Sequence, residues 1–249
     1  MLIYANPTIV QLPLGVPEGL TLSNSTSTPG QIDIIVGRAL IRRATGERVL
    51  ATRTFLLKKN LLAPWAAGFT SNGLPSNVPL TANTIYHVFL IIDTNGVVDA
   101  YFDTSELAAN RPSGWDARMI GSILTNPISV IADFDQQDDR FEYRVDLGAA
   151  DTSNLSTFSS NIVTLPAPSV ASAFGTVVTF VSAGTGTVVI SAEGGGTVGS
   201  NWLTAVPSFL QQYWQISGNR MRLYCSNGVT NITVAVRIRG FIHPRGAQG

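Results

Sequence analysis

The chain has little cysteine, histidine or charge, and each shortage excludes a class of protein. Cys225 is the only cysteine among 249 residues, which excludes an internal disulfide and a multi-cysteine metal site. Two histidines leave few candidate general bases. Charged residues make up 13% of the chain, about half the share in a typical soluble domain. Because basic and acidic residues number 16 each, no net charge attracts the protein to nucleic acid or to an anionic membrane.

The N-terminal segment lacks the features of a signal peptide, and no stretch of the chain has those of a membrane span. Residues 1–18 have no basic n-region and contain Pro7, Pro13 and Pro17. No run of about 18 apolar residues occurs. Since prolines favour extended backbone, we expect residues 1–18 to form an extended apolar arm that docks along a neighbouring subunit. A first strand of its own domain is the alternative.

Short β-strand patterns dominate the rest of the chain. Residues 32–41 and 49–57 are rich in β-branched residues and flank a polar interval containing Gly46, which predicts a hairpin. In residues 84–103, the turn sequence Asp93-Thr-Asn-Gly96 separates two apolar runs and predicts a second hairpin, with large residues on both faces. Helical potential is confined to three short segments, residues 61–67, 105–109 and 208–212.

The spacing of strands and turns predicts the fold class. Turn signals that recur about every 8 to 12 residues are typical of sandwiches and barrels. We therefore predict an all-β protein of two antiparallel β-sandwich (jelly-roll-like) domains with very few short helices. A polar, turn-prone stretch marks the boundary between them. The predicted units are an N-terminal arm (1–18), an N-terminal β-sandwich domain (19–148), a linker (149–160) and a C-terminal β-sandwich domain (161–245).

The stretch from Asp133 to Glu142 is the best candidate for chemistry. Two carboxylates at a suitable separation could hydrolyse a glycosidic bond, and clustered oxygens could hold calcium. The spacing does not match an EF-hand loop, and a strand end followed by a solvated loop also explains these residues. The candidate ligand or cation contacts here are Asp133, Asp135, Asp138 and Asp139. Nucleophile-elbow, zinc-protease and phosphate-loop motifs are absent, so we predict no enzymatic activity and no cofactor.

Other residue types with chemical potential have structural explanations. His87 lies within a strand pattern, where we expect it to be packed and hydrogen-bonded. Trp65, Trp115, Trp202 and Trp214 could stack on sugar rings, although core or rim packing explains them too. Trp115 and Trp202 are the further candidate contacts. Basic residues, including Lys58 and Lys59, are scattered without an aromatic stacking platform, so we predict no nucleic-acid partner.

Several motifs in order resemble a domain of tail-fibre and related virion proteins of tailed phages and prophages. The similarity covers about residues 19–145 and extends loosely over 160–243. The motifs are Gly19-Leu-Thr-Leu-Ser-Asn24, Trp65-Ala-Ala-Gly68, Leu80-Thr-Ala-Asn-Thr-Ile-Tyr-His-Val88 and Arg118-Met-Ile-Gly-Ser122.

This resemblance implies a structural virion component that acts through self-assembly and docking, either a tail-fibre or baseplate appendage or a capsid decoration protein. It also implies a homotrimer that contacts other virion proteins, made in the host cytoplasm and located in the virion. The family offers no catalytic motif to transfer. Only about 18 residues precede the first motif instead of a long fibrous shaft, which favours docking on a capsid, neck or baseplate. The alternatives are a module that binds a host-surface carbohydrate or receptor, and a glycan hydrolase that uses the acidic loop.

Overall fold

All regular structure that the structure describes is β-strand, which confirms the all-β prediction. The computed structural model describes residues 17–25, 28–144, 151–155, 160–169, 171–174, 177–180, 186–192, 197–203, 209–211, 216–217, 220–228 and 232–243. Beyond Arg144 it describes side chains only at 162–169, 171, 220–224 and 236–243. Within these residues, no helix is long and apolar enough to cross a lipid bilayer.

The strands are numbered in chain order. They are β1 (Glu18–Gly19), β2 (Leu22–Asn24), β3 (Gln31–Ile34), β4 (Gly37–Arg42), β5 (Arg48–Arg53), β6 (Leu57–Pro64), β7 (Thr70–Leu74), β8 (Ile85–Asp93), β9 (Val98–Asp103), β10 (Trp115–Leu124), β11 (Phe134–Gln137), β12 (Arg140–Tyr143), β13 (Asp151–Leu155), β14 (Ser160–Thr164), β15 (Ser172–Phe174), β16 (Val177–Phe180), β17 (Gly186–Ala192), β18 (Thr197–Leu203), β19 (Phe209–Gln211), β20 (Ile216–Ser217), β21 (Arg220–Gly228), β22 (Ile232–Arg237) and β23 (Gly240–Ile242).

The first predicted hairpin is confirmed, and it bends from one sheet into another. Strands β4 and β5 pair from Arg42↔Arg48 to Gly37↔Arg53 in the sheet β1-β4-β5. Beyond that point the two arms of the hairpin continue as β3 and β6, which pair at Ile34↔Leu57 in the sheet β2-β3-β6-β7. Residues 35–36 and 54–56 therefore form two neighbouring bends at the corner between the sheets. Gly19 is required beside this corner, since a Cβ there would lie 2.5 Å from the Val36 carbonyl oxygen.

The second predicted hairpin is also confirmed and forms the centre of the fold. Strands β8 and β9 pair around a turn in which Gly96 has a φ of 84°. The Asp93 carboxylate closes this turn by accepting hydrogen bonds from the backbone N–H groups of Asn95 and Val97. Strand β10 pairs on the other side of β8, which is buried along almost its whole length. The sheet is covered on both faces, as the large residues of both strands predicted.

One face of this central sheet packs into the main core, which also receives side chains from the two sheets of the bent hairpin. The other face carries a smaller cluster of Phe89, Ile91, Tyr101, Ala108 and Met119. Trp65 and Trp115 pack against the rim of that smaller cluster. Sheets on opposite sides of a common core form a sandwich arrangement.

The five-stranded sheet β11-β12-β23-β15-β20 joins strands that are distant in sequence. Strand β23 lies between β12 and β15, and Phe141 stacks on Phe241 with ring centroids 4.9 Å apart. The remaining strands form the sheets β13-β22-β16-β19 and β14-β21-β17-β18. The division into two sandwich domains stays a prediction, although part of the predicted linker, residues 151–155, is strand β13 paired with β22.

The three segments predicted to be short helices are not helical where they are described. Residues 61–64 belong to β6, residues 105–109 form turns and residues 209–211 form β19. Residues 61–64 extend β6 beyond residues 57–60, where β6 is paired with β3 on one side and β7 on the other, and this tertiary pairing outweighs local helical potential. The β6–β7 pair is parallel, an exception to the predicted antiparallel pattern.

Candidate functional site

Asp133 and Asp135 line a groove of about 650 Å³ between strands β2 and β11, here called the acidic groove. Its walls are tied together by Gln136, whose side-chain oxygen accepts a 2.7 Å hydrogen bond from the Leu22 backbone N–H. Asn24 adds a second tie, because its amide nitrogen donates to the Ala132 carbonyl oxygen over 3.5 Å. The sequence therefore located two carboxylates that share one groove.

Arg144 neutralises much of the negative charge in the acidic groove. Its guanidinium forms a two-point ion pair with Asp135, through Nη2 to Oδ1 and through Nε to Oδ2 at 2.8 Å. Nη1 also lies 3.8 Å from Asp133 Oδ1. The hydrogen bond from Arg144 lowers the pKa of Asp135. A glycosidase acid needs a raised pKa so that it can donate a proton, and the environment of Asp135 does the opposite.

Asp138 and Asp139 do not join this groove. They form the two-residue turn between β11 and β12, where Asp138 has a φ of 50° and the Asp139 carbonyl oxygen accepts a bond from the His243 N–H. Across the residues with described side chains, no three His, Cys, Asp or Glu residues converge as a metal ion would require. A cation contact by these four carboxylates stays a prediction.

Trp115 lies in a second groove of about 560 Å³, here called the Trp115 groove. Three segments form it: the β4–β5 turn, the β8–β9 turn and the loop before β10. Arg43, Arg111 and Asp116 also line it. The structure thus separates Trp115 from the acidic groove. Trp202 lies in strand β18, and its side chain is outside the described residues.

His87 is packed and hydrogen-bonded, as predicted for a histidine within a strand. Its Nδ1 lies 2.9 Å from Ser122 Oγ, and its Nε2 lies 4.0 Å from Glu106 Oε1. Both His87 and Ser122 are buried, and burial lowers the pKa of His87 while the carboxylates of Glu106 and Asp103 act to raise it. A serine–histidine–glutamate catalytic group needs an exposed hydroxyl and a hydrogen bond from histidine to the carboxylate. This arrangement has neither.

Lys59 and Asp99 form a buried ion pair under the loop that joins β6 and β7. Lys59 Nζ lies 2.9 Å from Asp99 Oδ1, and it donates to the Ala66 carbonyl oxygen and to Ser71 Oγ. Asp99 accepts hydrogen bonds from the backbone N–H groups of Gly68 and Ala100. Burial lowers the pKa of Lys59, although the bond and the charge of Asp99 act to raise it.

Four apolar side chains are exposed together on the two bends of the first hairpin. Ile35 and Val36 lie on one bend, and Phe55 and Leu56 lie on the neighbouring bend. We call them the corner patch. Phe55 is the most exposed of the four, with 70% of its surface accessible. Adjacent exposed apolar side chains of this size are typical of contact surfaces.

Comparison with known proteins gives no family. No protein-family model matches the chain, and no curated protein matches it. Among solved structures, the T=1 particle of infectious bursal virus is 12% identical with a TM-score of 0.25, over 92% of this chain and 66% of that chain. The exo-β-1,3-galactanase of Phanerochaete chrysosporium is 11% identical with a TM-score of 0.24, over 89% of this chain and 57% of that chain.

The chain therefore spans less than two thirds of the length of either protein. A VP2 subviral particle of infectious bursal disease virus gives similar values, with 11% identity and a TM-score of 0.25 over 92% of this chain and 71% of that chain. Likeness at this level carries no conclusion about the function of this chain.

Residue patterns alone did not reveal the role of Arg144, the burial of Lys59 or the corner patch. Lys59 is one of the scattered basic residues, yet it lies on the same face of β6 as Leu57 and Leu61, which both face the core. That spacing was the available signal. No sequence motif marks Arg144 or the corner patch, because the first depends on the register of the β11–β12 hairpin and the second on the bend of the first hairpin between two sheets.

Proposed function

We propose that this chain is a structural component of a tailed-phage particle, a tail-fibre or baseplate appendage or a capsid decoration protein, that acts by self-association and docking. The corner patch is the observation that carries the proposal. It offers other copies the exposed apolar side chains of Ile35, Val36, Phe55 and Leu56 at the corner between two sheets.

The size of the patch is enough to matter for association. Because Phe55 is 70% exposed, covering it removes about 140 Å² of the roughly 200 Å² that a phenylalanine can bury. At about 25 cal/mol per Å², that burial contributes about 3.5 kcal/mol to association. The other three residues of the patch add to this contribution.

Two further observations support an assembly role. With charged residues at only 13% of the chain, few surface charges oppose contact between copies. In addition, the hydrogen bond from Arg144 lowers the pKa of Asp135 in the acidic groove, which makes this carboxylate a poor proton donor. The resemblance of residues 19–145 to virion proteins points to the same role.

Light scattering of the full-length chain after size exclusion tests the self-association. We expect a multiple of the 26.5 kDa chain mass, namely three copies for the proposed homotrimer. The double variant Val36→Ser/Phe55→Ser should shift the protein toward a single copy, because it removes the apolar contact. A matched control is Leu107→Ser/Ile128→Ser, since both residues are 77% exposed and lie outside the patch.

A single-chain mass for the wild-type protein at tens of micromolar would contradict self-association. An oligomer that survives the Val36→Ser/Phe55→Ser change would contradict the assignment to the corner patch. Mass spectrometry of purified phage particles tests the virion role separately, and absence of the chain from the particles would count against it.

A further inference from the structure

Two hydrogen bonds tie the walls of the Trp115 groove together. Arg43 Nη2 donates to the Asp93 carbonyl oxygen over 3.4 Å and so ties the β4–β5 turn to the β8–β9 turn. The backbone N–H of Ala44 donates to Asp116 Oδ1 over 3.2 Å and ties the same turn to strand β10. A groove held by such bonds loses little conformational freedom on binding.

The groove has a partly exposed aromatic surface in a fixed orientation. Trp115 packs edge-to-face on Trp65, with ring centroids 5.5 Å apart and an interplanar angle of 75°. The Trp65 indole N–H in turn donates to the Ala100 carbonyl oxygen over 3.0 Å. Pro112 extends the apolar lining beside Trp115. A ligand with an apolar face could therefore lie against an ordered surface.

The polar side chains of the groove carry more positive than negative charge. Two guanidinium groups, Arg43 and Arg111, and one carboxylate, Asp116, line it. Arg111 is exposed, and among the described residues no carboxylate lies within ion-pairing distance of its guanidinium. The hydroxyl groups of Thr45, Thr94 and Ser113 complete the rim.

We propose that the Trp115 groove binds a glycan through a sugar unit that carries a carboxylate. A pyranose ring has one face of C–H groups, which suits Trp115, and a rim of hydroxyl groups, which suits Asp116 and the threonine and serine side chains. The sugar carboxylate is bound by the guanidinium of Arg111, which is free to form a charge-assisted pair. The groove volume of about 560 Å³ suits one or two sugar rings.

Titration of the full-length chain with glucuronate, N-acetylneuraminate and glucose, followed by calorimetry and by saturation-transfer NMR, tests this assignment. We expect at least one of the two acidic sugars to bind saturably and more tightly than glucose. Arg111→Gln should weaken that binding at least about tenfold, the usual loss for a hydrogen bond to a charged group. Arg140→Gln removes the same charge from the exposed hairpin of β11 and β12 and should leave binding unchanged.

Trp115→Phe keeps an aromatic ring in the packing and provides a second variant, which should also weaken binding. Circular dichroism and the melting temperature confirm that each variant is folded. The proposal is overturned if neither acidic sugar saturates, or if Arg111→Gln binds like the wild type. Equal binding of sodium acetate would also overturn it, because the site would then recognise an anion without a sugar ring.

Discussion

Replacing Lys59 with methionine tests the physical account of the buried Lys59–Asp99 pair. Methionine retains most of the apolar stem of lysine but removes the charge and its hydrogen bonds to Asp99, Ser71 and Ala66. Asp99 is then left buried, and its remaining partners among the described residues are the backbone N–H groups of Gly68 and Ala100. The variant therefore isolates the effect of an uncompensated buried carboxylate.

The expected loss of stability is large because no solvent reaches the pair. The Lys59 side chain is 0% exposed and that of Asp99 is 3% exposed. Removing one partner of a buried ion pair costs about 3–5 kcal/mol. Since two N–H groups still bind Asp99, we expect the lower end for Lys59→Met, about 3 kcal/mol. Adding Asp99→Asn should restore part of this loss, because the second change removes the stranded charge.

Urea denaturation followed by tryptophan fluorescence and circular dichroism measures these free energies of unfolding. Lys58→Met is the matched control: Lys58 is the neighbouring residue of β6, partly exposed and 3.8 Å from Asp33. Its replacement should cost less than about 1 kcal/mol. Equal losses for the Lys59 and Lys58 variants would refute the reasoning. So would a Lys59→Met/Asp99→Asn variant that is less stable than Lys59→Met alone.

Two further predictions concern the central sheet and the corner. Burial lowers the pKa of His87 below its ordinary value of 6.5, so the unfolded chain takes up a proton before the folded chain does. The free energy of unfolding should therefore fall as the pH drops from about 6.5 through the folded-state pKa of His87. His87→Gln should reduce this pH dependence, as measured by urea denaturation at a series of pH values. An unchanged slope would show that other groups cause the acid sensitivity. Gly37→Ala places a Cβ against the Glu18 carbonyl oxygen and the Leu20 N–H, which should cost about 1–3 kcal/mol and lower the melting temperature in calorimetry. Gly46→Ala is the control variant without steric crowding. A Cβ at Gly46 meets no atom within 4 Å, so only the φ of 88° opposes that change. A Gly37→Ala variant as stable as the wild type would contradict the close approach.

Local patterns were enough to predict the two hairpins. Alternating β-branched residues around Gly46, and the Asn95-Gly96 turn between two apolar runs, specify strands that pair with their sequence neighbours. The packing of His87 was predictable for the same reason, because its place in an apolar strand sets its surroundings. These features depend on side-chain alternation and turn geometry, which lie within about ten residues of each other.

Pairing between distant strands was not predictable. Residues 61–64 became strand as a continuation of β6, which is paired with β3 and β7 around residues 57–60. The contact of Arg144 with Asp135 and Asp133 is different, because it forms across the short β11–β12 hairpin, yet no motif marks it. The sequence therefore identified Asp133 and Asp135 as candidate carboxylates, but it did not reveal that Arg144 pairs with both of them.

By itself, the sequence determined an all-β chain with little charge, because strand periodicity and turn residues act over short distances. The tertiary structure alone decided that Lys59 meets Asp99 in the interior, that Trp115 lies apart from the acidic residues, and that four apolar side chains share one exposed corner. The physical reason is that each of these contacts depends on strand order and on the bend between two sheets. Those depend on the packing of the whole core, which no single segment encodes.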